Sequence, residues 1–317
     1  MAKKALITID GAYRKIKKGY ITIDGTYHKL KKGYITIGGV YRPCWSGGEL
    51  EYYGLITNLS QARNALAATT VGNYALFGGG NRSSGYSDTV DAYDTSLTHT
   101  ACTDLSQARY YLAAATVGNY ALFAGGKPSN NSYSGTVDAY DVSLTHTICT
   151  SISARSNLAA TTVGNYALFA GGLENSMVAK VDAYDVSLTH TTCTNLSQAR
   201  YALAATTVGN YALFGGGADS AIVDAYDTSL TRTACTDLSK ARGYLAATTV
   251  GDYALFGGGG ADSAIVDAYD TSLTRTICTD LSEARSNLAA TTVGNYALFG
   301  GGSGNGMVAK VDAYMIA

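Results

Sequence analysis

The chain has 317 residues, of which 46% are hydrophobic and 15% are charged, a balance that excludes an intrinsically disordered protein. Glycine (37) and tyrosine (25) are abundant and proline (2) is scarce, which favours many short strands joined by tight turns. The net charge of −1 hides an asymmetry, because residues 1–48 carry eight Lys and two Arg against two Asp (+8), which leaves −9 for the remainder. No apolar stretch of the sequence has the length of a membrane-spanning helix, so no membrane insertion is expected.

The first residues contain three units of 14 residues, KKALITIDGAYRKI, KKGYITIDGTYHKL and KKGYITIGGVYRPC. Each unit has two alternating segments around Asp-Gly or Gly-Gly, the dipeptides that favour type I′ turns in β-hairpins. Pairing across the second turn places Ile21, Ile23 and Thr26 on one face. Because a single hairpin is marginally stable in water, we expect the units to stack on each other, on a partner or on other copies of the chain in a homo-oligomer.

Residues 1–47 are therefore predicted to be a separate region, a mount or oligomerisation arm. Its positive charge favours an acidic protein or a virion component as partner, and without an arginine-rich or basic-aromatic motif no nucleic acid is expected there. The N-terminus lacks the apolar core of a signal peptide, which predicts synthesis in the cytoplasm without export by the usual N-terminal route. Trp45 is expected either to anchor the junction with the next domain or to bind a ligand, and the role of Cys44 is left open.

A second repeat with a longer period covers residues 48–317. The motif VGNYALF or VGDYALF begins at Val71, Val117, Val163, Val208, Val250 and Val293. The steps are 46, 46, 45, 42 and 43 residues, a spacing typical of one propeller blade. Each unit contains four predicted strands, A (LAATTV), B (YALFGG), C (VDAYD) and D (HTACTDLS), and shows no helical periodicity. The fold class predicted is therefore all-β, a six-bladed β-propeller preceded by a small β-hairpin repeat region.

The repeat also predicts how the ring closes. Strands A, B and C occur six times, but strand D follows them only five times. The segment 55–60 aligns with residues 101–106 of a complete D strand. We therefore expect this N-terminal strand to complete the last blade beside residues 311–317, which would remove an open sheet edge.

Three further features recur in each unit. A double glycine ends strand B (Gly79-Gly80 and equivalents), a tyrosine lies in strand C (Tyr93 and equivalents), and an arginine follows strand D. This pattern resembles the kelch repeat over about 85% of the chain, although the tryptophan of kelch strand D is absent and cysteine stands in its region. The resemblance implies a propeller that binds its partners through the face formed by its B–C and D–A connections.

A second resemblance concerns the N-terminal units and the following SGGELEYYG. These segments resemble tail or appendage proteins of phages and prophages of Firmicutes. The resemblance implies a virion as the location, with a cytoplasmic location as the alternative.

The repeated polar residues do not predict a catalytic or metal site. Cysteines occupy one slot of five outer strands, where neighbouring copies would lie about 15–20 Å apart, too far for disulfides, which need Cα separations of about 4–7 Å. They are interpreted as small buried hydrophobic residues. His99, His146 and His190 share one slot and are interpreted as solvated turn residues, and the aspartates of VDAYD as turn caps. A catalytic site needs different residues in different roles at one point, so we expect neither an enzyme nor a cofactor.

Variation between the blades is confined to two connections. The B–C loops have 9, 10, 8, 5, 6 and 8 residues, and the two residues after the arginine also differ. In a four-stranded blade both connections emerge on one face, and their Tyr, Asn, Ser and Gly content is typical of adaptable recognition surfaces. The candidate ligand-binding residues are Arg63, Asn64, Tyr86, Arg109, Tyr110, Tyr111, Tyr133, Arg155, Asn157, Arg200, Tyr201, Arg242, Tyr244, Arg285 and Asn287.

Two alternatives stay open at this point. Surface loops also vary where nothing constrains them, and the arginines either brace neighbouring blades or meet anionic ligands at the channel mouth. The leading functional hypothesis is a non-catalytic recognition module of a phage or prophage tail that binds a cell-surface glycan or protein. The alternative is an intracellular kelch scaffold that binds a protein or peptide, and a carbohydrate-active enzyme is the third hypothesis.

Overall fold

The computed structural model describes the backbone of six strands within residues 6–46. It describes residues 56–260 and 263–315 in full. The chain divides into two compact units, residues 1–56 and 57–317, whereas the sequence placed the boundary after residue 47. Among the described residues no helix is long and apolar enough to cross a membrane.

The first unit contains three antiparallel hairpins, as predicted. They pair Leu6–Ile9 with Ala12–Lys15, Tyr20–Ile23 with Thr26–Lys29, and Lys32–Ile37 with Val40–Ser46. In the second hairpin Ile23 lies opposite Thr26, which is the expected register. The third hairpin has an irregularity between Gly33 and Tyr34. The turn dipeptides and the side chains of Cys44 and Trp45 lie outside the described part of the chain.

The second unit is the predicted all-β, six-bladed β-propeller. Five blades are antiparallel sheets with the strand order A-B-C-D, and the described strands of blade 6 form a sheet of A, B and C. Strands A are Ala67–Val71, Ala113–Val117, Ala159–Val163, Ala204–Val208, Ala246–Val250 and Ala289–Val293. Strands B are Tyr74–Gly78, Tyr120–Ala124, Tyr166–Ala170, Tyr211–Gly215, Tyr253–Gly257 and Tyr296–Gly300. Strands C are Val90–Tyr93, Val137–Asp141, Val181–Asp185, Val223–Asp227, Val266–Asp270 and Val311–Met315, and strands D are His99–Ala101, His146–Cys149, His190–Thr192, Arg232–Ala234 and Arg275–Ile277. Short hairpins Asn81–Arg82/Gly85–Tyr86 and Ser303–Gly304/Gly306–Met307 extend two B–C loops.

The apolar residues of strands B and C build the core between neighbouring blades. Successive side chains of a strand point to opposite faces, so Leu168 packs against blade 4 while Phe169 packs against blade 2. The small residue at the end of strand B leaves room for the ring from the next blade, since a Cβ on Gly257 would lie 2.7 Å from Phe299. Each blade therefore supplies an aliphatic face to the following blade and an aromatic face to the preceding one.

Threonines of strand A link the blades around the central channel. The Thr116 hydroxyl donates a hydrogen bond of 2.5 Å to the Thr70 carbonyl of the preceding blade, and Thr162 donates to Thr116 at the same distance. Equivalent bonds run from Thr207, Thr249 and Thr292 to the blade before each of them. Small Ala and Thr side chains thus allow the close approach of strands at the axis.

The junction between blade 6 and blade 1 differs from the other five. In blade 5 the aliphatic face is buried, with Val250 4% and Val266 0% exposed, whereas in blade 6 the equivalent Val293 and Val311 are 48% and 63% exposed. No bond between Thr70 and the Thr292 carbonyl is found among the described residues. The apolar faces of blades 6 and 1 are therefore not packed together.

The predicted closing strand is only partly testable. The segment from Thr57 docks on blade 1 as each D strand docks on its next blade, because Tyr93 donates to the Thr57 carbonyl (2.8 Å) as Tyr140 donates to Thr103 (2.7 Å). Residues 56–60 form no strand, and neither do the equivalent residues 102–106 that follow strand D of blade 1, so this segment does not test the pairing with Val311–Met315. That pairing would involve residues 53–55, 316 and 317, which lie outside the described residues.

Candidate functional site

The B–C and D–A connections lie side by side on one face of the propeller, as the sequence predicts. Tyr110 and Lys127 exchange two backbone hydrogen bonds of 3.1 and 2.8 Å, which tie the residue after the arginine to the B–C loop. The same bridge joins Asn64 to Asn81, Ser156 to Leu173 and Ser286 to Ser303. We call the surface formed by these two connections the variable face.

A belt of left-handed residues surrounds the channel mouth on the variable face. The second residue after each arginine has a φ of 51–55°, and the six members are Ala65, Tyr111, Asn157, Ala202, Tyr244 and Asn287. From blade to blade the backbone N–H donates to the preceding carbonyl, as in Asn157 to Tyr111 (3.0 Å) and Tyr244 to Ala202 (2.8 Å). Left-handed φ is uncommon for residues other than glycine, and in this fold it also occurs at the leucines of the C–D turns on the other face (Leu97 and its equivalents, φ 61–63°). The sequence did not reveal this backbone feature.

The side chains of the belt repeat with a period of three blades. Ala, Tyr and Asn occur in this order in blades 1–3 and again in blades 4–6. Residues three blades apart lie on opposite sides of the axis, so Tyr111 and Tyr244 flank the mouth, and they are 45% and 43% exposed. This repetition was readable in the sequence as the residue before each Leu-Ala of strand A, but only the backbone conformation shows that it forms a belt.

Tyr86, Tyr110 and Tyr111 form a continuous cluster. The rings of Tyr86 and Tyr110 are stacked at 4.7 Å with an interplanar angle of 11°, and the ring of Tyr110 lies 4.6 Å from that of Tyr111. The Asn130 Oδ1 accepts hydrogen bonds from the hydroxyls of Tyr86 (2.7 Å) and Tyr110 (3.3 Å). Burial and the neighbouring Tyr86 raise the pKa of the Tyr110 hydroxyl. Sequence analysis did not select Asn130, which orders the cluster.

The other predicted tyrosines lie nearby or across the mouth. Tyr201 and Tyr244 meet edge to face at 6.3 Å. The pKa of the Tyr244 hydroxyl is raised by burial, by Tyr201 and by Tyr111, so Tyr111 influences it from the opposite side of the belt. Tyr133 lies in the blade 2 loop with the Lys127 ammonium 5.2 Å from its ring centre. Asn64, Asn157 and Asn287 are at the belt or next to it.

The six predicted arginines lie inside the blades. Their side chains are fully buried, and each pairs with the first aspartate of VDAYD at 2.5–2.8 Å. The guanidinium of Arg109 also donates to the Phe123 carbonyl at 3.1 Å. Burial removes five of these residues (Arg109, Arg155, Arg200, Arg242 and Arg285) from the ligand-accessible surface. Arg63 also has a fully buried side chain but lines a hollow beside Asn64. The geometry of all six is that of the bracing alternative.

The histidines are not solvated turn residues, which corrects the sequence interpretation. The Nε2 of His146 lies 2.7 Å from Asp138 Oδ1, and its side chain is only 14% exposed. Blades 4 and 5 place Arg232 and Arg275 in this slot, each 2.9 Å from its aspartate. Burial would raise the pKa of Asp138, but Arg109 and the hydrogen bonds from Ser106 outweigh it and lower that pKa. In blades 1–5 the buried carboxylate is thus held between two basic side chains.

The remaining repeated polar residues have structural roles in the described chain. The second aspartate of VDAYD caps the C–D turn as predicted, since Asp141 Oδ1 accepts from the N–H groups of Ser143 (2.8 Å) and Thr145 (2.9 Å). The first aspartate is not a turn cap, which corrects the other half of that interpretation. The five cysteines are free and only half-buried, and burial with the nearby aspartate raises the pKa of Cys149 to about 11.

Two hollows accompany the variable face. The central channel has a volume of about 390 Å³ and is lined by Ala and Thr of all six strands A. A second hollow of about 430 Å³ lies beside Asn64 and Arg82. Within the described ranges no group of three or more His, Cys, Asp or Glu could hold a metal ion. The belt and the tyrosine cluster therefore offer neutral amides, hydroxyls and aromatic rings, while the surrounding B–C loops also carry charged side chains such as Lys127 and the paired Glu174 and Lys180.

Comparisons with known proteins bear on the fold. No protein-family model and no curated protein matches the chain. The solved structure of YjhT is similar, with a TM-score of 0.64, 11% sequence identity, and coverage of 82% of this chain and 97% of YjhT. At this identity the similarity concerns the propeller fold alone, and the kelch and phage resemblances stay predictions.

Proposed function

We propose that this protein is a non-catalytic recognition module whose variable face binds a cell-surface glycan or protein. One observation carries the proposal: the loops that differ between blades and the exposed tyrosines of the belt share a single face, while the remaining framework is nearly the same in every blade. Drift of unconstrained loops would not arrange exposed aromatic rings around one opening. A propeller with one diversified face is suited to binding.

The polar residues support a binding role without catalysis. Each buried aspartate is already paired with an arginine and with a histidine or a second arginine in five blades. The same set recurs around the ring, whereas a catalytic centre needs different groups converging on one reacting atom. We therefore propose neither an enzymatic activity nor a cofactor.

The biological context rests on the sequence resemblance. We place the protein in a phage or prophage tail, with the basic hairpin arm as the mount on an acidic virion protein and the variable face directed at the host surface. The repeat of three hairpins also allows oligomerisation through the arm.

A loop transplant tests the proposal with parts of the chain itself. Replacing residues 127–136 of blade 2 by the five-residue loop 218–222 of blade 4 preserves a native connection but removes Asn130 and Tyr133. We expect adherence of the purified protein to intact host cells to fall at least tenfold. The control variant is Val142→Asp/Val186→Asp, because these exposed residues lie on the C–D turns at the opposite face.

Equal adherence of the transplant and the wild type would contradict the assignment of the face. Failure of the wild type to adhere to any cell, together with specific capture of soluble intracellular proteins, would overturn the proposed function in favour of an intracellular scaffold. Turnover of a surface polysaccharide would establish an enzyme instead.

A further inference from the structure

Five tyrosines of the variable face form a row, of which Tyr111 and Tyr244 are exposed and the others half-buried. On one side of the channel mouth the rings of Tyr86, Tyr110 and Tyr111 follow each other at 4.7 and 4.6 Å. On the other side Tyr244 and Tyr201 are 6.3 Å apart. Tyr110 and Tyr111 precede strand A of blade 2, whereas Tyr201 precedes strand A of blade 4 and Tyr244 precedes strand A of blade 5. Because blades 2 and 5 lie on opposite sides of the axis, the row crosses the mouth of the channel.

Resting on the proposed function, we propose that this row is the binding site for an extended chain of neutral sugars. Tyr111 and Tyr244 would hold one sugar ring over the channel mouth. Tyr110 and Tyr86 on one side and Tyr201 on the other would contact the neighbouring sugars of the same chain.

The chemistry of the row favours saccharides. The face of an aromatic ring carries negative charge, so it attracts the C–H groups on the flat side of a pyranose ring. The hydroxyls of the same tyrosines and the amides of the belt, Asn157 and Asn287, provide donors and acceptors for sugar hydroxyl groups. Asn130 is an exposed residue that uses its Oδ1 for the tyrosine hydroxyls, and its amide nitrogen makes no hydrogen bond within the described residues.

The shape of the site favours a chain over a single sugar. Small-ligand pockets usually enclose most of their ligand, whereas the tyrosine row is an open surface with two half-exposed rings at its centre. Affinity on such a surface comes from several weak contacts in series, since each ring covers one side of one sugar. The five side chains of the row are uncharged, and the Lys127 ammonium of the adjoining loop lies over the Tyr133 ring, which is outside the row; this matches a neutral ligand.

The backbone of the belt holds the two central tyrosines in place. Tyr111 and Tyr244 both have a φ of 54°, and each is fixed by a hydrogen bond from its N–H to the belt residue of the preceding blade (3.1 and 2.8 Å). The same slot holds alanine in blades 1 and 4 at nearly the same φ, 51° and 55°. An alanine variant at either tyrosine therefore keeps a backbone conformation that this fold already contains.

The test compares two pairs of tyrosines with equal exposure. Tyr111→Ala/Tyr244→Ala removes the centre of the row, and Tyr253→Ala/Tyr296→Ala removes two tyrosines that are each 42% exposed next to the A–B turns at the other face. Binding is measured to intact host cells, to the same cells treated with periodate, which cleaves vicinal diols of sugars, and to cells treated with protease. Gel electrophoresis in the presence of dextran, glucomannan or hydroxyethyl cellulose measures retardation by neutral polysaccharides directly.

We expect periodate to abolish binding and protease to leave it intact. The belt variant should lose at least tenfold in apparent affinity, the control pair should be unchanged, and an oligosaccharide should compete more strongly than its monosaccharide. Binding that persists after periodate but is lost after protease would overturn the saccharide assignment and leave the proposed function standing. If the belt variant bound with the affinity of the wild type, the row would not be the binding site. If the wild type bound no cells at all, the proposed function itself would be wrong.

Discussion

The junction between blades 2 and 3 and the junction between blades 6 and 1 are built from nearly the same residues, yet only the first is packed. Val117 of blade 2 is 1% exposed beneath Phe169 of blade 3, whereas the equivalent Val293 of blade 6 is 48% exposed. Phe77 of blade 1, which corresponds to Phe169, is only half-buried. Identical repeats therefore do not guarantee identical interfaces.

The difference shows that ring closure is a separate requirement from blade packing. Each of the first five junctions needs only two neighbouring blades to fit, and repeat proteins are stabilised mainly by such neighbour contacts. The sixth junction also needs five successive rotations to return the last blade to the first. Stability in this structure is therefore concentrated in blades 2–5, which are packed on both sides.

The largest expected effect comes from removing a buried arginine. Arg109→Met leaves the carboxylate of Asp138, which is 0% exposed, without its main partner, and we expect a loss of about 3–5 kcal/mol in unfolding free energy. Arg285→Met is the matched variant at the open side, where Asp312 is 18% exposed and can be hydrated. Its loss should be clearly smaller in urea denaturation followed by circular dichroism. Equal losses of unfolding free energy would show that Asp312 is as inaccessible to water as Asp138 and that blades 6 and 1 pack together.

A smaller effect is expected from trimming the aromatic face. Phe169→Leu leaves a cavity in the packed junction between blades 2 and 3, and we expect a cost of about 1–2 kcal/mol. Phe77→Leu makes the same change where the ring has no opposing blade, so its cost should be close to zero. The denaturation midpoints of the two variants, each compared with the wild type, measure the two costs. A cost at Phe77 that matches the cost at Phe169 would remove the distinction between the two junctions.

The sequence could predict the blades because each strand carries its own local signal. VGNY marks the A–B turn, the alternation in YALF marks a strand buried on both faces, and the period of 42–46 residues gives the number of blades. The common face of the variable connections followed from strand order alone. The repeat count could assign a closing strand, but it could not predict how tightly blades 6 and 1 pack, because that packing depends on the rotation between blades, which no single repeat encodes.

The roles of repeated polar residues were harder to predict because they depend on pairing between strands. His146 lies opposite Tyr140 in the C–D register, which brings its ring within 2.7 Å of Asp138. A list of residues in each repeat does not show this register, so the histidine was interpreted as solvated. The belt was missed for a similar reason, since Tyr and Ala do not signal a left-handed backbone as glycine does.

The smallest expected effect concerns the threonine hydroxyls at the axis. Thr162→Val keeps the shape and strand propensity of the side chain but removes the donor to the Thr116 carbonyl, and a loss of about 1 kcal/mol is expected for one hydrogen bond. Thr70→Val is the matched control, because the Thr70 hydroxyl makes no hydrogen bond among the described residues and should cost nothing. Native-state hydrogen exchange of the strand A amides is sensitive enough to separate the two variants. Thr70→Val could instead accelerate exchange in blades 1 and 6 as much as Thr162→Val does in blades 2 and 3. In that case the Thr70 hydroxyl would have to donate to the Thr292 carbonyl, and the threonine hydrogen bonds would form a complete ring around the axis.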